Sequence, residues 1–104
     1  MMLTCEPILQ DNSFDGITFD TFLGYDIHQI SSNAFNNSAD KIKYFFCTKC
    51  SLDIKSLKNV FNQMNQLEVL EIDLQLREMP SNAIIPVGNQ TKLKRVSIVN
   101  RNNP

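Results

Sequence analysis

Two cysteines separated by two residues, Cys47 and Cys50, are the side chains of this sequence best suited to chemistry. A C-x-x-C pair is redox-active when a helix begins at its first cysteine, because the helix dipole lowers the pKa of that thiol. Here Cys47 instead occupies the last apolar position of an expected strand. A zinc site would need further ligands, and the single histidine, His28, is distant in sequence. We therefore expect buried structural thiols, with a disulfide or a metal site as the alternatives.

The other polar residues do not form a catalytic or metal-binding pattern. His28 lies in an expected loop or helical turn, where it would face solvent. Asp11, Asp15, Asp20 and Asp26 are close in sequence, but their spacing differs from the fixed ligand offsets of an EF-hand calcium loop. We interpret them as a solvated acidic edge. The sequence predicts no catalytic residue, no metal site and no cofactor.

Two sequons, Asn36-Asn37-Ser38 and Asn89-Gln90-Thr91, predict N-glycosylation at Asn36 and Asn89. Each precedes an expected strand, where a glycan would point to solvent. A chain this rich in Asn, Ser and Thr contains such triplets by chance, so they permit secretion without demonstrating it. The third cysteine, Cys5, makes the count odd, which in a secreted chain indicates a free thiol or a partner outside the segment.

Composition excludes several classes of protein. Hydrophobic residues make up 42% of the chain and charged residues 20%, which is ordinary for a folded domain. The net charge of −1 and the lack of a basic patch argue against a nucleic-acid partner. No apolar run approaches the roughly 18 residues that a membrane-spanning helix needs. The segment 1–7 is too short and too poor in basic residues for a signal peptide, so a secreted protein would carry its signal upstream.

The elements that must position these residues follow from a repeated apolar spacing. The pattern apolar-x-x-apolar-x-apolar occurs four times, at steps of 28, 25 and 26 residues. A period in this range is typical of a solenoid, and each triplet predicts one short strand with alternate side chains inward. The four triplets are Phe14, Ile17, Phe19; Ile42, Phe45, Cys47; Leu67, Leu70, Ile72; and Leu93, Val96, Ile98.

A second apolar series follows each of the first three triplets at spacings of three and four, which predicts a short helix or helical turn behind the sheet. The clearest helix is in the second unit, with Asp53 as its N-cap. In the third unit, prolines predict a turn or a short 3₁₀ piece. The series comprise Ile27, Ile30, Ala34, Phe35; Ile54, Leu57, Val60, Phe61; and Leu76, Met79, Ala83, Ile84.

The triplets, extended by Cys50 and Leu52, resemble the leucine-rich repeat family. The segments 30–35 and 79–84 look like the second half of the repeat in the extracellular, typical subclass. The sequence pattern as a whole is similar to that of arthropod secreted relatives of the non-catalytic shrimp luciferase subunit. Three units depart from the family pattern at its Asn/Cys position, which holds Phe22, Gln75 and Arg101.

This resemblance implies an α/β leucine-rich repeat solenoid: a curved parallel sheet with short helices or turns on the convex side and about 3.5 repeats. The repeats would occupy residues 14–104 and begin near 14, 42, 67 and 93. Residues 1–13 would be an irregular lead-in, or the remnant of a cap or of a preceding repeat. The chain would be a fragment of a longer protein or have neighbours in an oligomer. The alternative is an unrelated α/β domain whose strands share this spacing.

The expected function is non-catalytic binding of a protein through the sheet face of a secreted, extracellular glycoprotein. Alternation along the strands predicts the outward residues, among which exposed aromatic side chains lie beside charges, as in many binding patches. The alternatives are an intracellular, cytoplasmic adaptor of the substrate-receptor type and an accessory subunit of an enzyme complex. A structural cover over Phe46 would also explain that aromatic residue. The predicted binding residues are Tyr44, Phe46, Lys49, Glu71, Asp73 and Arg95.

Overall fold

The fold is a stack of coils whose strands form one parallel sheet. A computed structural model describes residues 1–52, 54–74 and 92–100. The main sheet has the order β1-β3-β5-β6-β7, and β2 pairs with β4 in a second, smaller sheet; every pair is parallel. The elements are β1 (Met2–Thr4), β2 (Ile8–Leu9), β3 (Thr21–Tyr25), β4 (Gln29–Ile30), β5 (Tyr44–Cys50), α1 (Ile54–Phe61), β6 (Val69–Leu74) and β7 (Arg95–Asn100). The prediction of a repeat solenoid with a parallel sheet is therefore confirmed.

The strand register explains why the apolar spacing repeats. Phe22, Phe45, Leu70 and Val96 lie opposite one another in consecutive strands, and Met2 extends this row into β1. Because side chains alternate along a strand, in-register stacking places each row on a single face. Three members of the row are fully buried, namely Phe22, Phe45 and Leu70, so the row forms the inner layer of the core.

The first predicted strand is wrong: Phe14, Ile17 and Phe19 precede the strand, which begins at Thr21. The true first unit is Phe19, Phe22 and Gly24, with Gly24 opposite Cys47. The apolar pattern missed it because Gly24 has no side chain. A Cβ there would lie 2.5 Å from Cδ1 of Ile27 and 2.9 Å from the Phe22 ring, so the tight packing of this coil requires glycine.

The segment 1–13, expected to be an irregular lead-in or the remnant of a cap or of a preceding repeat, holds two short strands. It contains β1, which pairs with β3, and β2, which pairs with β4. The backbone N–H groups of His28 and Gln29 both donate to the carbonyl of Pro7, at 2.7 and 3.1 Å. These bonds join the segment to the following coil, so it forms a coil of the stack.

The back of the stack changes along the chain. The first apolar series, expected to form a helical turn, is buried, but it contains β4 followed by turns. The predicted helix of the second unit is confirmed as α1, Ile54–Phe61. The predicted N-cap residue, Asp53, and the third series lie outside the described residues. Within the described ranges α1 is the one helix, and it is too short to cross a membrane.

Stacked phenylalanines fill the core between front and back. The rings of Phe22 and Phe45 stack with centroids 4.9 Å apart, and Phe35 and Phe61 meet them edge to face at 5.0 and 5.1 Å. Each of the four side chains is at most 2% exposed. Full burial of such a side chain contributes about 1.5–3 kcal/mol, and well-oriented aromatic pairs add about 0.5–1.5 kcal/mol. The aromatic stack therefore fixes the position of β3 and β5.

Candidate functional site

The outward side of the main sheet carries the predicted binding residues. We define the sheet face as the outward side chains of β1, β3, β5, β6 and β7. The register aligns them into rows across the strands, because parallel strands place equivalent residues opposite one another. One row is Leu3, Leu23, Phe46, Glu71 and Ser97, and a second is Thr21, Tyr44, Val69 and Arg95.

The sheet face is apolar on one side and charged on the other. Leu3, Leu23 and Phe46 are neighbours in their row; Leu3 is 64% exposed and the other two are half-buried. Beyond Phe46 the row becomes charged at Glu71, whose carboxylate pairs with Arg95 at 3.0 Å. Both partners of this pair are accessible to water, so it adds little to stability and remains available to a ligand.

A cavity of about 270 Å³ lies on the sheet face across β5, β6 and β7. The predicted residues Phe46, Glu71 and Asp73 line it, together with Ser97 and Val99. Its wall thus combines one aromatic ring and the aliphatic side chains of Ile72 and Val99 with two carboxylates, and the lining contains no cationic residue. Such a wall suits a partner group that is apolar with a positive charge beside it.

The other predicted binding residues lie near this cavity without lining it. Tyr44 and Arg95 belong to the neighbouring row, with Val69 between them. Lys49 is exposed at the end of β5, where its ammonium lies 5.5 Å from the centre of the Tyr25 ring. The structure therefore places four of the six predicted residues in two adjacent rows, puts Asp73 in the next row opposite Val99, and sets Lys49 apart at the strand end.

A β-bulge in β5 explains the position of Lys49 and the pairing of the cysteines. The register between β5 and β6 shifts between Cys47 and Cys50, and Lys49 has a φ of 55°. Both cysteines are buried, as predicted, and their sulfurs are joined in a disulfide, so the preferred expectation of free thiols is wrong. In a regular strand, residues three apart face opposite sides, and the bulge turns both inward. A disulfide this well buried cannot offer the exposed thiolate of a redox enzyme.

The charge of Lys49 is maintained by its neighbours. A side-chain hydrogen bond to Tyr25 is the largest cause raising the pKa of Lys49, and the carboxylates of Asp26 and Asp73 also raise it. The ammonium is fully exposed to solvent. Lys49 therefore keeps its positive charge through the whole physiological pH range.

Two residues of the sequon around Asn36 make hydrogen bonds within the fold. Asn36 is exposed, and its Nδ2 donates a hydrogen bond to Oδ1 of Asn12. The Ser38 hydroxyl is buried; it accepts the Phe19 N–H at 3.0 Å and donates to the Ile17 carbonyl at 3.0 Å. Ser38 thereby fixes the turn before β3, which explains this serine without glycosylation. The second predicted site, Asn89, lies outside the described residues.

A larger cavity, about 650 Å³, lies at the back of the stack, where β2, β4 and α1 meet. Ile8, Gln10, Gln29, Ser32 and Asn59 are among its lining residues, which are uncharged. No pattern in the sequence indicated this cavity, since the two short strands that form it lack a recognisable apolar alternation.

The remaining candidate groups are dispersed. His28 lies 3.3 Å from Asp26 through its Nε2, and both side chains are more than half exposed. Cys5 is exposed and unbonded. In the part of the chain that the structure describes, no three His, Cys, Asp or Glu residues are grouped closely enough to hold a metal ion.

Comparison with known proteins identified no relative. The chain matches no family model, no curated protein and no solved structure. The class that the fold defines is a small solenoid of parallel-strand coils.

Proposed function

We propose that this chain is a non-catalytic binding module that holds a protein partner on its sheet face. The observation that supports the proposal is the cavity lined by Phe46, Glu71 and Asp73, at the boundary between the apolar and charged sides of that face. The backbone here is held by the parallel sheet, so little conformational entropy would be lost on association. The expected ligand is a protein segment that places an apolar side chain against Phe46 and a basic one beside the carboxylates.

We further propose that the coils are of the leucine-rich repeat type and that the protein works outside the cell. Two observations support the repeat type. The apolar spacing of Leu67, Leu70 and Ile72 at β6 matches the repeat pattern, and the helix α1 lies behind the sheet. The disulfide between Cys47 and Cys50 supports the location, because disulfides persist in oxidising compartments. An intracellular adaptor would instead keep both thiols reduced.

A peptide selection tests the binding proposal. Phage-displayed peptides are selected on the immobilised chain, and the affinity of each enriched peptide is then measured for the wild type and for its Phe46→Ala variant. We expect enriched peptides to contain an aromatic or aliphatic residue next to Lys or Arg, and to lose at least about tenfold in affinity for Phe46→Ala, since truncation of a central contact costs more than about 1.4 kcal/mol. Asn62→Ala, an exposed position after α1, is the matched control and should bind like the wild type.

Two outcomes would contradict the proposal: peptides that bind Phe46→Ala as tightly as wild type, or no enrichment at all. Amide chemical shifts give an independent readout, because a bound peptide should perturb Phe46, Glu71 and Ser97 across the cavity. Perturbations confined to the back of the stack would place binding in the larger cavity instead.

The extracellular proposal has a separate test in a secretory host. We expect an endoglycosidase-sensitive increase in mass that the Asn36→Gln variant reduces, together with a Cys47–Cys50 disulfide in the secreted protein. Asn36 is exposed, so a glycan fits there without displacing the core. A secreted protein with neither glycan nor disulfide would refute this proposal and leave the binding proposal intact.

A further inference from the structure

The two ends of the main sheet are open edges in the described part of the chain. β1 pairs with β3 alone and β7 pairs with β6 alone. The outer edge of each carries backbone N–H and C=O groups that can pair with another strand. Since every pair inside the sheet is parallel, the two edges are geometrically suited to each other: a strand added to β7 in the existing direction would continue the stack.

Apolar side chains accompany both edges. In the inner row, Phe22, Phe45 and Leu70 are fully buried, whereas Val96 on β7 is 45% exposed. At the opposite end Leu3 on β1 is 64% exposed. Within the chain, each inner position is covered by the coil that follows it. The exposed area at Val96 is therefore the type of surface that another coil covers.

Charge is divided along the chain with opposite sign at the two ends. Residues 1–40 contain six Asp or Glu and no Lys or Arg, whereas residues 41–104 contain ten Lys or Arg and five Asp or Glu. The overall charge of −1 thus combines −6 in the first part with +5 in the second. On and beside β7, the basic residues Lys92, Lys94 and Arg95 are exposed, while Glu6 is exposed after β1. Lys94 and Arg95 are paired within the chain, so Lys92 is the cation of the β7 edge without a carboxylate partner among the described residues, and it can attract Glu6 of another coil.

Ion pairs already join consecutive coils within the chain. Lys94 before β7 pairs with Glu68 before β6 at 3.3 Å, and Arg95 pairs with Glu71 at 3.0 Å. Neighbouring coils of this chain thus combine in-register strand pairing with opposite charges. An added coil rich in acidic residues would meet the same type of surface.

We propose that a second copy of this chain covers the end of the sheet, with its β1 paired in parallel to β7 of the first. Continuing the register places Met2 of the second copy opposite Val96 and Leu3 of the second copy opposite Ser97. The contact joins two different surfaces, so it is head-to-tail and can continue into a longer stack. This self-association is independent of the sheet-face function proposed above.

The oligomeric state of the full chain tests this proposal. In sedimentation velocity, we expect the average mass to rise between about 10 µM and about 1 mM protein, a range typical of small, weak interfaces. Raising NaCl from about 0.05 M to about 0.5 M should weaken association, because the screening length falls to a few ångströms. A monomer at every concentration would overturn the proposal.

Edge variants make the test specific. Met2→Asp blocks the β1 edge and Val96→Asp blocks the β7 edge; each should lower the association constant by more than about tenfold, because both positions belong to the inner row, where the contact would bury an unpaired carboxylate. Mixing the two variants should restore a one-to-one complex that grows no further, since each retains one intact edge. Ile17→Asp, at a position 47% exposed and away from both edges, is the matched control and should associate like the wild type.

Circular dichroism confirms that each variant is folded, and Lys92→Glu, at an exposed position beside β7, replaces Val96→Asp if that variant unfolds. A mixture without a one-to-one complex, or edge variants that associate like the wild type, would overturn the head-to-tail arrangement. Phe46→Ala should leave self-association unchanged, which separates this result from the sheet-face proposal.

Discussion

Phe45→Ala and Phe46→Ala form a matched pair that tests the register of the solenoid. The two phenylalanines are adjacent on β5, yet Phe45 is fully buried and Phe46 is half-buried on the sheet face. The Phe45 ring lies 4.9 Å from Phe22 and 5.1 Å from Phe61. Its removal would leave a cavity between the sheet and the back of the stack, bounded by rings that are held by their own neighbours.

The magnitude follows from this packing. Truncation of a buried phenylalanine costs about 3–5 kcal/mol, and the stacked contacts place Phe45→Ala toward the upper end of that range. Small domains have about 5–15 kcal/mol of stability in total, so the variant loses a large share of it. The melting temperature should fall by roughly 15 to 30 °C for a chain of 104 residues. Phe46→Ala should cost about 1 kcal/mol, because only part of its side chain is buried.

Urea unfolding followed by far-UV circular dichroism measures both changes on the same scale. Unchanged m-values would show that the two variants differ in stability and not in the extent of unfolding. Equal destabilisation by the two substitutions would refute the register, as would a cost below about 1 kcal/mol for Phe45→Ala.

Three further predictions test other parts of the fold. Leu70→Asp should abolish cooperative unfolding, because it buries an unpaired carboxylate, whereas Glu71→Ala should shift stability by a few tenths of a kcal/mol; equal tolerance in urea titrations would contradict this. Reduction of the Cys47–Cys50 disulfide should lower stability by about 2 kcal/mol, the loop-entropy value for a closed loop of four residues, measured as a melting shift that the Cys47→Ser/Cys50→Ser double variant does not show. Ser38→Ala should cost about 1–3 kcal/mol, since its hydroxyl bridges a backbone N–H and C=O; an unchanged unfolding midpoint would mean that water replaces both bonds.

The strands that follow a clear apolar alternation were predictable from sequence. Tyr44–Cys50 and Val69–Leu74 carry large inward side chains at alternate positions, which determine both the strand and its outward face. Alternation also brought Phe46 and Glu71 together correctly, because a parallel register aligns equivalent positions across strands.

The remaining features could not be predicted from the apolar pattern along the sequence. Gly24 holds a core position without a side chain, so the first strand could not be found by hydrophobicity. Met2–Thr4 and Ile8–Leu9 are too short to show an alternation. The bulge at Lys49 reverses the inward order within one strand, and only the backbone shows that it brings Cys47 and Cys50 to the same side.

The back of the stack changes from the strand β4 to the helix α1, and this change bears on the shape of the sheet face. Where β2 pairs with β4, front and back advance by the same strand spacing of about 4.8 Å per coil, so these coils stack straight. The helix α1 is about 10 Å wide and needs more room behind the same front spacing than a strand does. We therefore expect the sheet to curve toward its sheet face from β5 onward. The cavity beside Phe46 lies in this part of the sheet, and a sheet curved in that way would hold a convex loop better than a flat surface.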